Sequence, residues 1–121
     1  MLDTSFHHLK VKDVDGVAVV ELVDADIVYA SAVVEEIGKE LRSLLSDHAH
    51  TKVLLDFKNV QYISSSMLGQ LARLQKEADA ARAQLRIVGL GPTLKDIFQI
   101  GHFDRIFEIY DDEESALKSF H

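Results

Sequence analysis

The stretch Val53-Leu-Leu-Asp-Phe-Lys-Asn-Val-Gln-Tyr-Ile-Ser-Ser-Ser-Met-Leu-Gly69 decides how the rest of the chain is read. It opens with an apolar run, Val53 to Phe57, short enough to be a strand buried on both faces. A polar break at Lys58-Asn59 precedes a second apolar patch of Val60, Tyr62 and Ile63. Three serines, Ser64 to Ser66, come next. A helical pattern follows directly, with apolar or small residues at Met67, Leu68, Leu71, Leu74 and Ala78. A short hydroxyl side chain at a helix start accepts a bond from an otherwise unpaired backbone amide. The serines therefore mark a helix N-terminus, which also favours negative charge. A hydroxyl placed there is a cap, a nucleophile or a phosphate acceptor.

On either side the pattern alternates between strand and helix. Residues 1–5 form a loose start, and Phe6 to Val14 has enough alternation for a strand. Asp15-Gly16 is a tight-turn signal. It leads into Val17-Ala-Val-Val-Glu-Leu-Val23, a β-branched run that pairs back on the first as an antiparallel hairpin. After Asp24 to Asp26, apolar residues recur at helical steps: Val33, Val34, Ile37, Leu41, Leu44 and Leu45. The charged residues Glu35, Glu36, Lys39, Glu40 and Arg42 fall largely opposite them. This helix runs from about Ala30 to Ser46, with Ser31 as its cap or, alternatively, Asp26 in the loop before it.

Beyond the helix that follows the serines, Leu85 to Leu90 is another strand. Gly91-Pro92 opens a short helix ending at Gly101, because proline suits the first turn and glycine the stop. Ile106 to Tyr110 is a last strand. The acidic run Asp111 to Glu114 begins a final helix at the end its dipole favours. The order β-β-α-β-α-β-α-β-α predicts an α/β fold: a mixed, mostly parallel sheet with an antiparallel N-terminal edge and four helices. With 121 residues and no linker, repeat or low-complexity segment, residues 1–121 read as one domain, its core at about 6–120.

Composition narrows the function. A formal charge of −7 argues against nucleic acid as the main partner and favours one with a basic surface. Without cysteine there is no disulfide framework and no thiolate metal site. No apolar stretch approaches the ~20 residues of a membrane span, so a cytoplasmic protein without membrane insertion is expected. The closest histidine pairs, His7-His8 and His48-X-His50, lack the i, i+4 spacing of zinc enzymes, and no metal or cofactor is expected. Gly89-X-Gly91-Pro92 lacks a dinucleotide or phosphate-loop signature and reads as a turn. Ser65 is not in a Gly-X-Ser-X-Gly elbow, so a hydrolase is not indicated.

The serine segment resembles the signature of STAS domains, in particular the bacterial anti-sigma factor antagonists. Leu55-Asp56-Phe57, Val60, Ile63, Ser65-Ser66 and Leu68-Gly69 stand in register with it without a gap. Asp26-Ile-Val-Tyr-Ala30, Gly101 to Phe107 and Tyr110 to Ala116 are similar to further family segments. The resemblance implies a STAS-like fold and a non-enzymatic regulator of transcription that sequesters an anti-sigma factor of the serine-kinase type. It implies phosphorylation at Ser65, with Ser64 and Ser66 next in line, and resetting by a serine phosphatase. The implied partner-binding residues are Asp26, Ser64, Ser65, Ser66, Met67 and Gly69. Two positions depart from the family pattern: Ser64 replaces its Asp and Met67 its Gly. If Met67 faces the partner, its bulk either blocks close approach or supplies an adaptable apolar contact. The alternatives are a constitutive scaffold or transporter-associated subunit, and a small-ligand sensor.

Overall fold

The computed structural model describes residues 2–3, 6–23, 26–27, 31–46 and 50–120. In chain order, strand β1 is Leu2–Asp3, β2 Leu9–Val14, β3 Val17–Leu22 and β4 Asp26–Ile27. Helix α1 is Ser31–Ser46, β5 Lys52–Asp56, β6 Tyr62–Ile63, and α2 Ser65–Ala80. Then come β7 at Gln84–Val88 and α3 at Pro92–Ile100. A 3₁₀ turn at Phe103–Arg105, β8 at Glu108–Tyr110 and α4 at Glu113–Lys118 complete it.

One sheet has the order β1-β2-β3-β5-β7-β8. The β1–β2 and β2–β3 pairs are antiparallel, and β3–β5, β5–β7 and β7–β8 are parallel. The sequence therefore anticipates the mixed architecture, with β5 interior between β3 and β7. Val53, Leu54 and Leu55 have at most 1% of their surface exposed, as expected of a strand covered on both faces. The hairpin turn has positive φ at both Asp15 and Gly16 (53° and 85°), the geometry that matches strand twist in a two-residue loop.

Alternation along the strands builds two cores. On one face Val20, Leu22, Val53, Leu55 and Ile87 meet Val34, Ile37, Leu41 and Leu44 of α1 and Met67, Leu71 and Leu74 of α2. On the other, Val17, Val19, Leu54 and Val88 are covered by Ala116 of α4, with Leu117 and Phe120 alongside. Each large aliphatic side chain so buried contributes roughly 1.5–3 kcal/mol. The turn at His7-His8 is tied to α1 by Glu40, whose Oε2 and Oε1 accept from the two backbone amides at 2.9 Å each. His8 Nε2 also lies 2.9 Å from Glu36 Oε2.

Several boundaries differ from expectation. Leu2–Asp3, read as part of a loose start, pairs with Lys12 and Val11 as an edge strand. The first long strand begins at Leu9 rather than Phe6, and the last at Glu108, because residues 103–105 turn as a 3₁₀ helix. The patch around Tyr62 and Ile63 is itself a strand, paired in parallel with β4 in a separate two-stranded sheet. The expected helix start at Ala30 and the histidine His48 lie outside the described residues.

Candidate functional site

The serine cluster sits where the chain leaves β6 and enters α2. Ser64 is extended (φ −81°, ψ 160°) and is the N-cap: its Oγ accepts from the Met67 backbone amide at 3.2 Å, and its carbonyl accepts from Leu68 N at 3.0 Å. Ser65 and Ser66 are the first two helical residues, both exposed. Their amides belong to the first turn, where a helix has no internal acceptor for them. The result is a ledge of two solvent-facing hydroxyls over free backbone donors, at the positive end of a 16-residue helix.

The lower layer of this ledge is apolar and fixed. Ile63 is 2% exposed and Met67 is fully buried among the core residues. The partner contact that the resemblance implies for Met67 is ruled out by its burial, because the structure puts this side chain underneath the ledge. Its contact is with the core. Gly69, one turn further on, is exposed, and a Cβ added there would have nothing within 4 Å. Ser65, Ser66 and Gly69 thus leave the first turns of α2 with a low outer profile.

The β4–β6 ladder brings a second element to the ledge. Asp26 pairs with Tyr62 and Ile27 with Ile63, so the Asp26 backbone runs beside the segment that ends at Ser64. Strands in such a ladder are about 4.8 Å apart. Sequence reasoning counted Tyr62 only as part of an apolar patch, yet it is 47% exposed. The available signal was its polar neighbour Gln61, which breaks the apolar run between the buried Val60 and Ile63.

Asp56, at the end of β5, has a structural part. Its Oδ1 accepts from Lys58 N at 2.9 Å and its Oδ2 is 3.7 Å from Lys58 Nζ, which also reaches Glu21. This carboxylate closes the turn that carries the chain from β5 towards the serines. Gly89 approaches it closely: an added Cβ would lie 2.6 Å from Asp56 Oδ1 and 2.9 Å from Lys58 N.

Chemically, the ledge suits a receiver. A serine hydroxyl is a weak nucleophile unless a base takes its proton. Among the described residues, neither Ser65 nor Ser66 is hydrogen-bonded to a histidine or carboxylate. Among the described residues no group of three metal-ligating side chains converges, and no helix is long and apolar enough to cross a membrane.

Residues 8–116 match the profile described as the STAS domain. A STAS-domain protein of Pseudomonas aeruginosa is 31% identical over 58 residues, 48% of this chain and only 57% of that protein. BtrV of Bordetella bronchiseptica, described as a candidate anti-sigma factor antagonist, is 29% identical over 90 residues, 74% of this chain and 77% of its own. Among solved structures, a candidate anti-sigma factor antagonist from Thermotoga maritima superposes with a TM-score of 0.78 at 21% identity, covering 93% of each chain. The anti-sigma factor antagonist SpoIIAA, in its unphosphorylated form, gives 0.66 at 21% identity, over 91% of this chain and 94% of that one. SpoIIAA of Bacillus has also been solved phosphorylated. The fold is not confined to such regulators. The murine anion transporter Slc26a9 contains it too, with a TM-score of 0.71 at 15% identity over 88% of this chain and 18% of that one.

Proposed function

The chain belongs to the STAS-domain family, and on that premise we propose that it is an anti-sigma factor antagonist switched by phosphorylation of Ser65. The observation that carries the reading is the division of labour between neighbouring serines. Ser64 is engaged as the helix cap, whereas Ser65 presents an exposed hydroxyl over unpaired amides. The name of the Bordetella relative, which matches over most of both chains, supports the same class. The anion transporter likeness bears on the fold alone.

Unphosphorylated, the protein binds an anti-sigma factor of the serine-kinase type through the α2 ledge and its β4–β6 border. The partner then transfers the γ-phosphoryl group of ATP to Ser65 Oγ. The serine proton leaves to a base on the kinase, and ADP departs. A serine phosphatase returns the hydroxyl by hydrolysis. In this cycle the protein is a substrate and binder, acting in the cytoplasm on transcription.

The phosphate adds about −1.5 to −2 charge at neutral pH. The α2 N-terminus accommodates that charge, so the fold persists. The same charge buried against a partner without a counter-ion is costly, and the complex weakens. Ser64 in place of the family Asp does not undo the site, because either side chain caps the helix. The test is binding of the purified anti-sigma kinase to Ser65→Asp and Ser65→Ala. Ser65→Asp is expected to bind more weakly at near-wild-type thermal stability, and Ser65→Ala to bind normally. Equal affinity of both variants for the kinase would count against the switch.

A further inference from the structure

The outer face of α2 continues well beyond the serines. Ser65, Gly69, Ala72 and Lys76 follow at steps of four, three and four residues, with Arg73 beside them, so they form one stripe. The upper part is bare. At the lower part a groove of about 630 Å³ opens between α2 and the turn after the 3₁₀ helix, with Ala72, Arg73, Gln75, Lys76, Asp79 and Ile106 as its lining.

This groove combines features that the switch does not use. Ile106 is 46% exposed, one of few large apolar side chains so placed among the described residues. Two cations, Arg73 and Lys76, and one carboxylate, Asp79, line the groove in a chain of net charge −7. Arg73 leans on Glu77 at 3.4 Å, and Lys76 has no ion-pair partner among the described residues. Gln75 donates through Nε2 to Asp79 at 2.9 Å, which fixes the amide orientation and leaves its buried Oε1 without a donor.

We propose that the groove is a second contact of the same docking face, and that it takes a segment of the anti-sigma partner carrying a carboxylate beside an aliphatic side chain. The inference rests on the functional reading above. Reach supports it: Lys76 lies eleven helical steps from Ser65, about 16.5 Å at 1.5 Å per residue. A standard interface covers about 800 Å² per partner, a patch roughly 30 Å across, so a protein seated on the ledge extends over the groove. Charge supports it as well. The overall negative charge draws in a basic partner, while the local Arg73–Lys76 pair selects an acidic residue on it and so sets the register. The aliphatic neighbour packs on Ile106 and Ala72, and Gln75 Oε1 gains a donor when its side chain swings out.

The experiment titrates the purified anti-sigma kinase, without ATP, into labelled wild type, Arg73→Glu/Lys76→Glu, Ile106→Ser and Lys10→Glu/Lys12→Glu. The last pair lies on the α4 side of the sheet and serves as a charge control. The α2 double reversal is expected to raise Kd about tenfold or more, because it sets two carboxylates against the partner's acidic residue. Ile106→Ser is expected to raise Kd about tenfold. The control should stay within about twofold. Should the double reversal lower thermal stability, Arg73→Gln/Lys76→Gln replaces it and is expected to weaken binding in the same direction. Unchanged affinity of the α2 variants, with Ser65→Asp still weakened, would place the groove outside the docking face and leave the functional reading intact. A wild type that does not bind the kinase overturns both.

Discussion

The side-chain oxygen of Ser64 accepts a hydrogen bond from the backbone amide of Met67 at 3.2 Å, and this bond separates the structural serine from the exposed ones. Ser64→Ala should therefore destabilise the fold by about 1 kcal/mol, within the ~0.5–2 kcal/mol range of lost caps. Ser65→Ala should change stability by less than about 0.5 kcal/mol. Urea denaturation of the two variants checks this, and a larger loss for Ser65→Ala would make Ser65 the cap.

Met67 gives a second expectation. Restoring the family glycine by Met67→Gly removes a side chain that is fully buried beneath the ledge. The cavity should cost ~2–5 kcal/mol, with about 1 kcal/mol more from glycine in a helix. A denaturation midpoint equal to wild type would show that the core closes over the space.

At Gly89 the backbone has φ +84°, and an added Cβ meets Asp56 Oδ1 and the Lys58 amide. Gly89→Ala should thus combine left-handed strain of ~1–2 kcal/mol with disruption of the Asp56 turn. Thermal unfolding of Gly89→Ala measures it. Retention of the wild-type midpoint would mean that the β5–β6 turn yields freely.

The final helix offers a pH-dependent test. Hydrogen bonds from Ser115 lower the pKa of Asp112, the α4 cap, below its ordinary value of 3.8; its Oδ1 accepts from Ser115 N at 2.7 Å. The folded pKa lies below the unfolded one, so this contribution is fully present above about pH 4 and is lost as pH falls through the depressed value. Asp112→Ala should be less stable than wild type at pH 7, and the gap should narrow below the ordinary carboxylate range. A gap that stayed constant to acid pH would show that the ionised carboxylate is not what holds α4.

The interior strand and the two long helices were legible because their signals are periodic over many residues. Val53 to Phe57 is apolar at every position but Asp56, and the α1 positions Val34, Ile37, Leu41 and Leu44 repeat at steps of three and four. Strands β1, β4 and β6 have two residues each, too few to show a period, and exist only through their partners. Met67 is instructive in another way. Its spacing with Leu71, Leu74 and Ala78 already marked the buried face, and only its match to a family glycine directed it towards a partner. The residue's own periodicity was the better guide. Which serine caps the helix depends on one backbone dihedral, and three consecutive serines leave that choice open in the sequence.

The central claim is that Ser65 receives the phosphate. The most direct measurement is incubation of wild type and Ser65→Ala with the purified anti-sigma kinase and ATP, followed by intact mass and mapping of the modified residue. Wild type should gain a single phosphate on Ser65 and Ser65→Ala none. Phosphate incorporation into Ser65→Ala equal to wild type, mapped to Ser64 or Ser66, would contradict it.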